Sequence, residues 1–466
     1  MIIQAISHLI ILSILLISLF FTNDYAKDYS YILYLFQLII FSLILYRKKY
    51  FLFFLSPIII LIFYVDLSFL IGNWAFSNKL VSFPTYLKSF QFEWAHHNYL
   101  VFYILLSNTI LFYIDAYFRK FYKTIINNIS TFIPNDYHIY VIITSTIFFI
   151  FFLYFQFDAS IFGGSGDMSF VPKAIASINI FYFLSKKRIP FRFLFYLAII
   201  VLFSTFSFQS KREAIFLIMP ILLLEAVLNN YKINFKRLFF LFLTFLILII
   251  LIIAMSILRG YGEFDIIENN LFSTFPFIFE YINNPLFLIY FFNNIETNYT
   301  YFHSYNAMEY IFRDIDLLSL GSTIIKFLFI PFPRSYFGFI KPDSIISEYM
   351  NTFSSSIREA GGSMPPNVYA EMFWNFHFIG IFASIIIFSL FMLIFLKLIK
   401  WIKYENGYKY SWCLFAFSQF LTYVRGSGLD MYFVYVIFGY FISWSIYNIS
   451  MLFVRHRYNN YNLQIF

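Results

Sequence analysis

Long apolar runs, broken by short basic connectors, set the rhythm of this 466-residue chain. Runs of about 17–25 mostly apolar residues are long enough to cross a bilayer as helices. They predict twelve spans, near 5–21, 31–46, 51–71, 99–118, 138–157, 168–184, 191–209, 213–228, 238–257, 376–396, 410–424 and 431–452. Those at 168–184 and 410–424 are the shortest. The run at 5–21 lacks a small-residue cleavage site and reads as a retained first helix. One departure breaks the rhythm, the polar stretch 259–375. Connections longer than roughly 12–15 residues usually carry function or are disordered. Phe, Tyr, Ile and Leu recur through this one, so its composition is not that of a disordered segment. Within it, 284–295 and 302–313 are apolar or amphipathic enough to lie on the membrane surface. The expected organisation is an all-α polytopic membrane protein. Helices 1–9 occupy residues 1–258, a long loop carrying the active site 259–375, and helices 10–12 with a C-terminal tail 376–466.

Composition agrees with the pattern. Hydrophobic residues make up 61% and charged residues 12%, against about 25% charged in a soluble domain. The 71 Phe and 39 Tyr follow most simply from base-composition bias of the gene, so aromatic enrichment points to no site. A net charge of +8 would suit nucleic acid, but its distribution does not. Basic residues collect in one set of short connectors: Arg47 to Lys49, Arg119 to Lys123, Lys186 to Arg192, Lys232 to Arg237, Lys397 to Lys409, and Arg455 with Arg457. With twelve spans these all fall on one side, which the positive-inside rule makes cytoplasmic, with both termini there. The opposite face then carries 22–30, 72–98, 158–167, the Lys211-Arg212 turn, 259–375 and the turn from Arg425 to Asp430. In 72–98, Trp74, Trp94, His96 and His97 read as an interfacial aromatic belt or as substrate contacts.

Candidate chemistry lies on that outer face. Lys211, Arg212, Arg259, Arg334, Lys341, Arg358 and Arg425 are cations on the side where the topology rule disfavours them. Each alone could be a side chain snorkelling at a helix end. Together they suit an anion site at the membrane edge, where guanidinium groups match phosphate oxygens bidentately. Glu371 stands just before the tenth span. It could accept a proton from a sugar hydroxyl, or be an acid favoured by a helix N-terminus. His303 and His377 are candidate bases or hydrogen-bond donors. The single Cys413 excludes intramolecular disulfides and a cysteine metal cluster, and the seven histidines show no metal-ligand spacing. No Walker or GxGxxG motif and no internal repeat is present, which argues against an ATP-driven pump. No cofactor or metal is expected.

These residues resemble a family. Pro333-Arg334, then Lys341-Pro342, then Ser363-Met364-Pro365-Pro366-Asn367-Val368-Tyr369-Ala370-Glu371-Met372-Phe373-Trp374-Asn375-Phe376 opening a span, resemble the bacterial O-antigen polymerases, or Wzy-type oligosaccharide repeat-unit polymerases. The Ser210-Lys211-Arg212 turn and the Arg425-Gly426-Ser427-Gly428-Leu429-Asp430 turn look like family features in matching order. The likeness covers roughly 200–440; before that only hydropathy agrees. His377 departs from it, standing where such sequences often carry Gly. The resemblance implies a GT-C-like fold in the bacterial inner membrane. It implies an inverting, metal-independent glycosyltransferase acting on the periplasmic side on undecaprenyl-pyrophosphate-linked oligosaccharide. Membrane lipid and a chain-length regulator protein are the further partners it implies. Arg259 and Arg334 would then stabilise charge on the leaving pyrophosphate, with Glu371 as base. Lys211, Arg212, Lys341, Arg358, Arg425 and His303 would bind substrate. An O-antigen ligase shares donor and face, and a flippase shares the lipid-linked unit. A flippase would more often show repeats and broken spans.

Overall fold

The computed structural model describes residues 2–47, 56–81, 95–127, 140, 143–148, 235–258, 272–329, 336, 341–359, 364–404 and 407–463. All regular structure among the described residues is helical. The helices used below are α1 (Ile2–Phe20), α2 (Asn23–Arg47), α3 (Pro57–Ser77), α4 (His97–Asn127) and α5 (Phe235–Leu258). They continue with α6 (Ile278–Asn283), α7 (Phe287–Asn294), α8 (Glu296–Arg313), α9 (Ile345–Phe353), α10 (Val368–Phe376), α11 (Gly380–Tyr404), α12 (Gly407–Thr422) and α13 (Leu429–Leu463). Among the described residues, five stretches are long and apolar enough to cross a membrane: Asn23–Tyr46, Pro57–Ser77, His97–Arg119, Val368–Lys397 and Leu429–Val454. Leu12, Leu35, Phe36, Ile386 and Leu390 are exposed on α1, α2 and α11. Exposed apolar bands of that kind suit lipid rather than water. The chain is an α-helical, membrane-embedded protein.

The expected spans at 168–184, 191–209 and 213–228 lie outside the described residues, and 138–157 is described only at 140 and 143–148. Elsewhere the helices differ from the hydropathy runs mainly at their ends. α2 begins at Asn23 with Asp24 in its first turn, where a carboxylate offsets the orphan N–H groups and the helix dipole. α3 shows why its start is sharp. Pro57 occupies the first turn, and the Ser56 Oγ accepts the Ile59 N–H at 3.1 Å. The same Oγ donates to Asp115 Oδ1 at 2.7 Å, and Asp115 Oδ2 accepts from Arg119 Nε at 2.8 Å. A cap on α3 is thereby tied to a charge pair on α4. α12 has 16 residues, short of the roughly 20 a bilayer crossing needs, and Tyr423–Ser427 follows it as a kink, with Gly426 at φ 113° and ψ 24°, outside helical geometry.

One expectation is overturned. The stretch 302–313 does not lie on a surface; it belongs to α8, which is packed among α3, α4 and α10. Tyr301, Phe302, Tyr305, Ala307, Met308 and Ile311 are fully buried. The rings of Tyr301 and Tyr305 meet Phe69 edge to face, with centroids 5.5 and 4.9 Å apart. Asn73 Nδ2 donates to the Tyr301 hydroxyl at 2.8 Å, and the Tyr305 and Tyr34 hydroxyls are hydrogen-bonded. The helix is polar on average because Asn298, Thr300, His303, Ser304, Asn306 and Glu309 are buried with it. A polar helix reads as surface-bound by hydropathy, yet it can be interior when its polar atoms find partners. In α7, Leu288 is exposed, as is Leu286 just ahead of it, while Phe287 and Phe291 pack on α5 and α6.

Candidate functional site

The site grows from the first turn of α10. Pro365 and Pro366 restrict the preceding chain to extended backbone, and Asn367 starts the helix. Its Oδ1 accepts the Ala370 N–H at 2.9 Å, while its own N–H donates to Ser304 Oγ on α8 at 2.9 Å. Side-chain capping of this kind contributes about 0.5–2 kcal/mol. Every residue from Val368 to Asn375 is buried. The Gly426 backbone, at φ 113°, lies so close to this point that a Cβ there would stand 1.7 Å from the Pro366 carbonyl oxygen. That approach brings the turn carrying Arg425, itself buried, to the N-terminal end of α10.

His303 precedes Ser304 on α8. Its Nδ1 lies 3.0 Å from the Tyr349 hydroxyl, whose oxygen also accepts from Asn306 Nδ2 at 2.9 Å. Burial, reinforced by the positive charge of Arg425, lowers the imidazole pKa to about 3. His303 is therefore a neutral hydrogen-bonding group in the resting protein.

One turn beyond Asn367 stands Glu371, fully buried. Its Oε1 accepts from Thr323 Oγ1 at 3.2 Å. Its Oε2 has no hydrogen-bond partner among the described residues. A buried acceptor without any partner costs about 1–3 kcal/mol. Asn375 frames the pair from below. Its Nδ2 donates to Thr323 Oγ1 at 2.7 Å and to the Glu371 carbonyl at 2.8 Å. Three further charges stand in electrostatic reach of Glu371: Asp430, Glu348 and Lys326. Lys326 Nζ pairs with Asp430 Oδ2 at 2.9 Å. Glu348 accepts from Ser319 Oγ, from Ser322 Oγ at 3.3 Å and from Trp374 Nε1 at 2.9 Å.

The residues singled out in the sequence divide three ways. Glu371, His303 and Arg425 gather around the α10 N-terminus. Lys341 is buried ahead of α9. Arg358 is partly exposed and donates to the Ser347 carbonyl at 3.4 Å and to Asn351 Oδ1, which fastens its own short helix to α9. Arg259, Arg334, Lys211 and Arg212 lie outside the described residues. His377 has φ 52° and packs on Phe373 at 4.6 Å, between α10 and α11. Near the N-terminal bundle, Trp74 rests on Phe292, His96 pairs with Glu309 at 2.9 Å, and His97 is buried 4.4 Å from the Tyr305 ring.

Sequence reasoning passed over Thr323, Lys326 and Glu348. Lys326 carried a signal, because it is a lone charge in the apolar run Ile324 to Phe329. Glu348 and Thr323 carried none. Among the described residues, no group of three or more His, Cys, Asp or Glu could hold a metal ion. Comparison with protein-family models, curated proteins and solved structures finds no match to this chain.

Proposed function

We propose that the chain is a membrane glycosyltransferase that polymerises undecaprenyl-pyrophosphate-linked oligosaccharide repeat units into O-antigen or a similar surface polysaccharide. The reaction belongs on the periplasmic face of the bacterial inner membrane. The terminal hydroxyl of the acceptor unit attacks the anomeric carbon of the donor glycan. The bond from that carbon to the pyrophosphate breaks, the hydroxyl proton passes to Glu371, and undecaprenyl pyrophosphate leaves. Such a reaction inverts the anomeric configuration, and its donor is already activated.

The observation that carries this reading is the half-satisfied carboxylate of Glu371. One oxygen is held by Thr323, and the other has no hydrogen-bond partner among the described residues. It sits on the same nine-residue helix whose N-terminus abuts the Arg425 turn. A base in the first turn of a short helix and a cation at that same N-terminal end suit a reaction that moves a proton and releases a phosphate anion. The motif order from Pro333-Arg334 to Asp430 adds the resemblance described above. Arg259 and Arg334 take the leaving pyrophosphate, and Lys211, Arg212, Lys341, Arg358 and Arg425 hold the two pyrophosphates.

Deleting the gene and resolving the surface polysaccharide on a gel tests the reading. Core bearing a single repeat unit is the expected result. Core bearing none would replace the polymerase with a ligase or a flippase, and an unchanged ladder would remove the chain from this process.

A further inference from the structure

The segment from Gly321 to Phe329 is built as a cover over two carboxylates that come from different helices. Ser322–Ile325 forms one helical turn and Lys326–Phe329 continues it as a tighter one. Thr323 and Lys326 are three residues apart, so they share one face of this turn. Thr323 Oγ1 binds Glu371 of α10 at 3.2 Å, and Lys326 Nζ binds Asp430 of α13 at 2.9 Å. Each carboxylate uses one oxygen for the cover. The other oxygen of each, Glu371 Oε2 and Asp430 Oδ1, is buried with no hydrogen-bond partner among the described residues. Both side chains are more than nine-tenths buried.

The cover has a left-handed backbone at its entrance and one open side. Leu320 and Gly321 take positive φ values in succession, 46° and 89°, at its entrance. Its outer side is apolar and open, with Leu320 76%, Ile325 46% and Leu328 58% exposed. Lys326 keeps 17% of its side chain accessible while Asp430 keeps 5%. A ligand rich in hydroxyl groups would supply donors to Glu371 Oε2 and Asp430 Oδ1 and, with the segment displaced, to the oxygens that Thr323 and Lys326 now hold. Carboxylates accept such bonds more strongly than neutral groups do.

Resting on the polymerase reading, we infer that Asp430 is a second acceptor-binding residue: it and Glu371 receive hydroxyl groups of the acceptor sugar when the Lys326 segment is displaced. Glu371 takes the reacting hydroxyl, Asp430 takes a neighbouring one, and Lys326 acts only through Asp430, as a positioning residue.

The test uses the full-length protein in membranes, lipid-linked repeat units as donor, and one repeat unit on a plain alkyl glycoside as acceptor. That probe keeps the terminal hydroxyl and lacks the pyrophosphate, so it can accept and not donate. In Asp430→Asn, the KM for the probe should rise about tenfold or more, as the loss of a charge-assisted bond implies, with kcat within about threefold. The double variant Lys326→Met with Asp430→Asn separates binding from structure, because removing both charges relieves an unpaired one. Binding predicts that the double variant keeps the raised KM. Wild-type KM in the double variant, or a loss confined to kcat, overturns the inference. If the double variant does not accumulate, Asp430→Glu keeps the charge and shifts it by one methylene; an unchanged KM there overturns it equally. A wild-type protein that joins no units at all would remove the polymerase reading itself, whereas a working wild type with an indifferent Asp430 removes this inference alone.

Discussion

The side-chain oxygen of Asn375 accepts the Gly321 N–H at 3.0 Å, joining the last turn of α10 to the start of the segment that covers Glu371. The same amide donates to Thr323 Oγ1 and to the Glu371 carbonyl. One buried side chain thus fixes the cover, the partner of the carboxylate and the helix beneath it. Asn375→Ala leaves three buried polar groups short of a partner, each worth about 1–3 kcal/mol when unsatisfied. The expected outcome is a clear fall in thermal stability in detergent, with polymer formation reduced at least tenfold. Asn375→Asp keeps the acceptor for Gly321 and loses the donors, so its defect should be smaller in stability than in turnover.

Gly426 makes a second prediction that follows from space alone. At φ 113° any side chain is strained, and its Cβ would overlap the Pro366 carbonyl. Gly426→Ala must therefore push the Arg425 turn off the N-terminus of α10. Protein abundance in the membrane should drop sharply, and activity per molecule should fall with it. Normal abundance and activity in this variant would mean that the two backbones do not meet.

Topology is tested by reporter fusions. Those at Lys48, Lys187, Lys236 and Lys403 should report cytoplasm, and those at Ser165, Asp343 and Ser427 periplasm. Asp343 in the cytoplasm would remove the catalytic argument, because lipid-linked repeats are joined outside.

How far the sequence carried this picture depended on which force set each feature. Apolar runs are read directly by hydropathy, so α2, α3, α4, α11 and α13 were legible, with the start of α2 displaced where Asp24 extends it into polar sequence. α8 was misplaced because its eighteen residues are stabilised by polar partners on other helices. The Tyr349 hydroxyl on His303 and the Ser304 hydroxyl under Asn367 leave no periodic trace. Glu371 and the Arg425 turn stood out as polar residues beside apolar spans. Thr323 and Glu348 did not, since a Thr and a Glu in a long loop look alike whether they face water or a carboxylate.

The arginines carry the fourth prediction. If Arg259 and Arg334 stabilise the leaving pyrophosphate, Ala at either position should abolish polymer while membrane abundance stays unchanged. Lys should restore little, because a point charge does not reproduce the bidentate guanidinium fork. Full activity in a Lys variant would reduce that residue to a generic positive charge.

Glu371→Gln separates chemistry from scaffolding at the centre of the site. The amide keeps the size of the side chain and an oxygen for Thr323, and it turns a proton acceptor into a donor at the position of Oε2, which has no partner among the described residues. A general base contributes typically 10²–10⁴-fold, so purified Glu371→Gln should lose polymerisation by about two orders of magnitude or more. Binding of the lipid-linked unit should persist, since the cations that hold its pyrophosphate are untouched. Were Glu371 only an acid offsetting the α10 N-terminus, the change would cost about 0.3–1 kcal/mol of local stability and leave turnover within a few-fold. The stability measurement guards the comparison: a Gln variant that unfolds at the wild-type temperature and still builds long chains at near-normal rate places Glu371 in the scaffold, and the arginines then become the main source of rate.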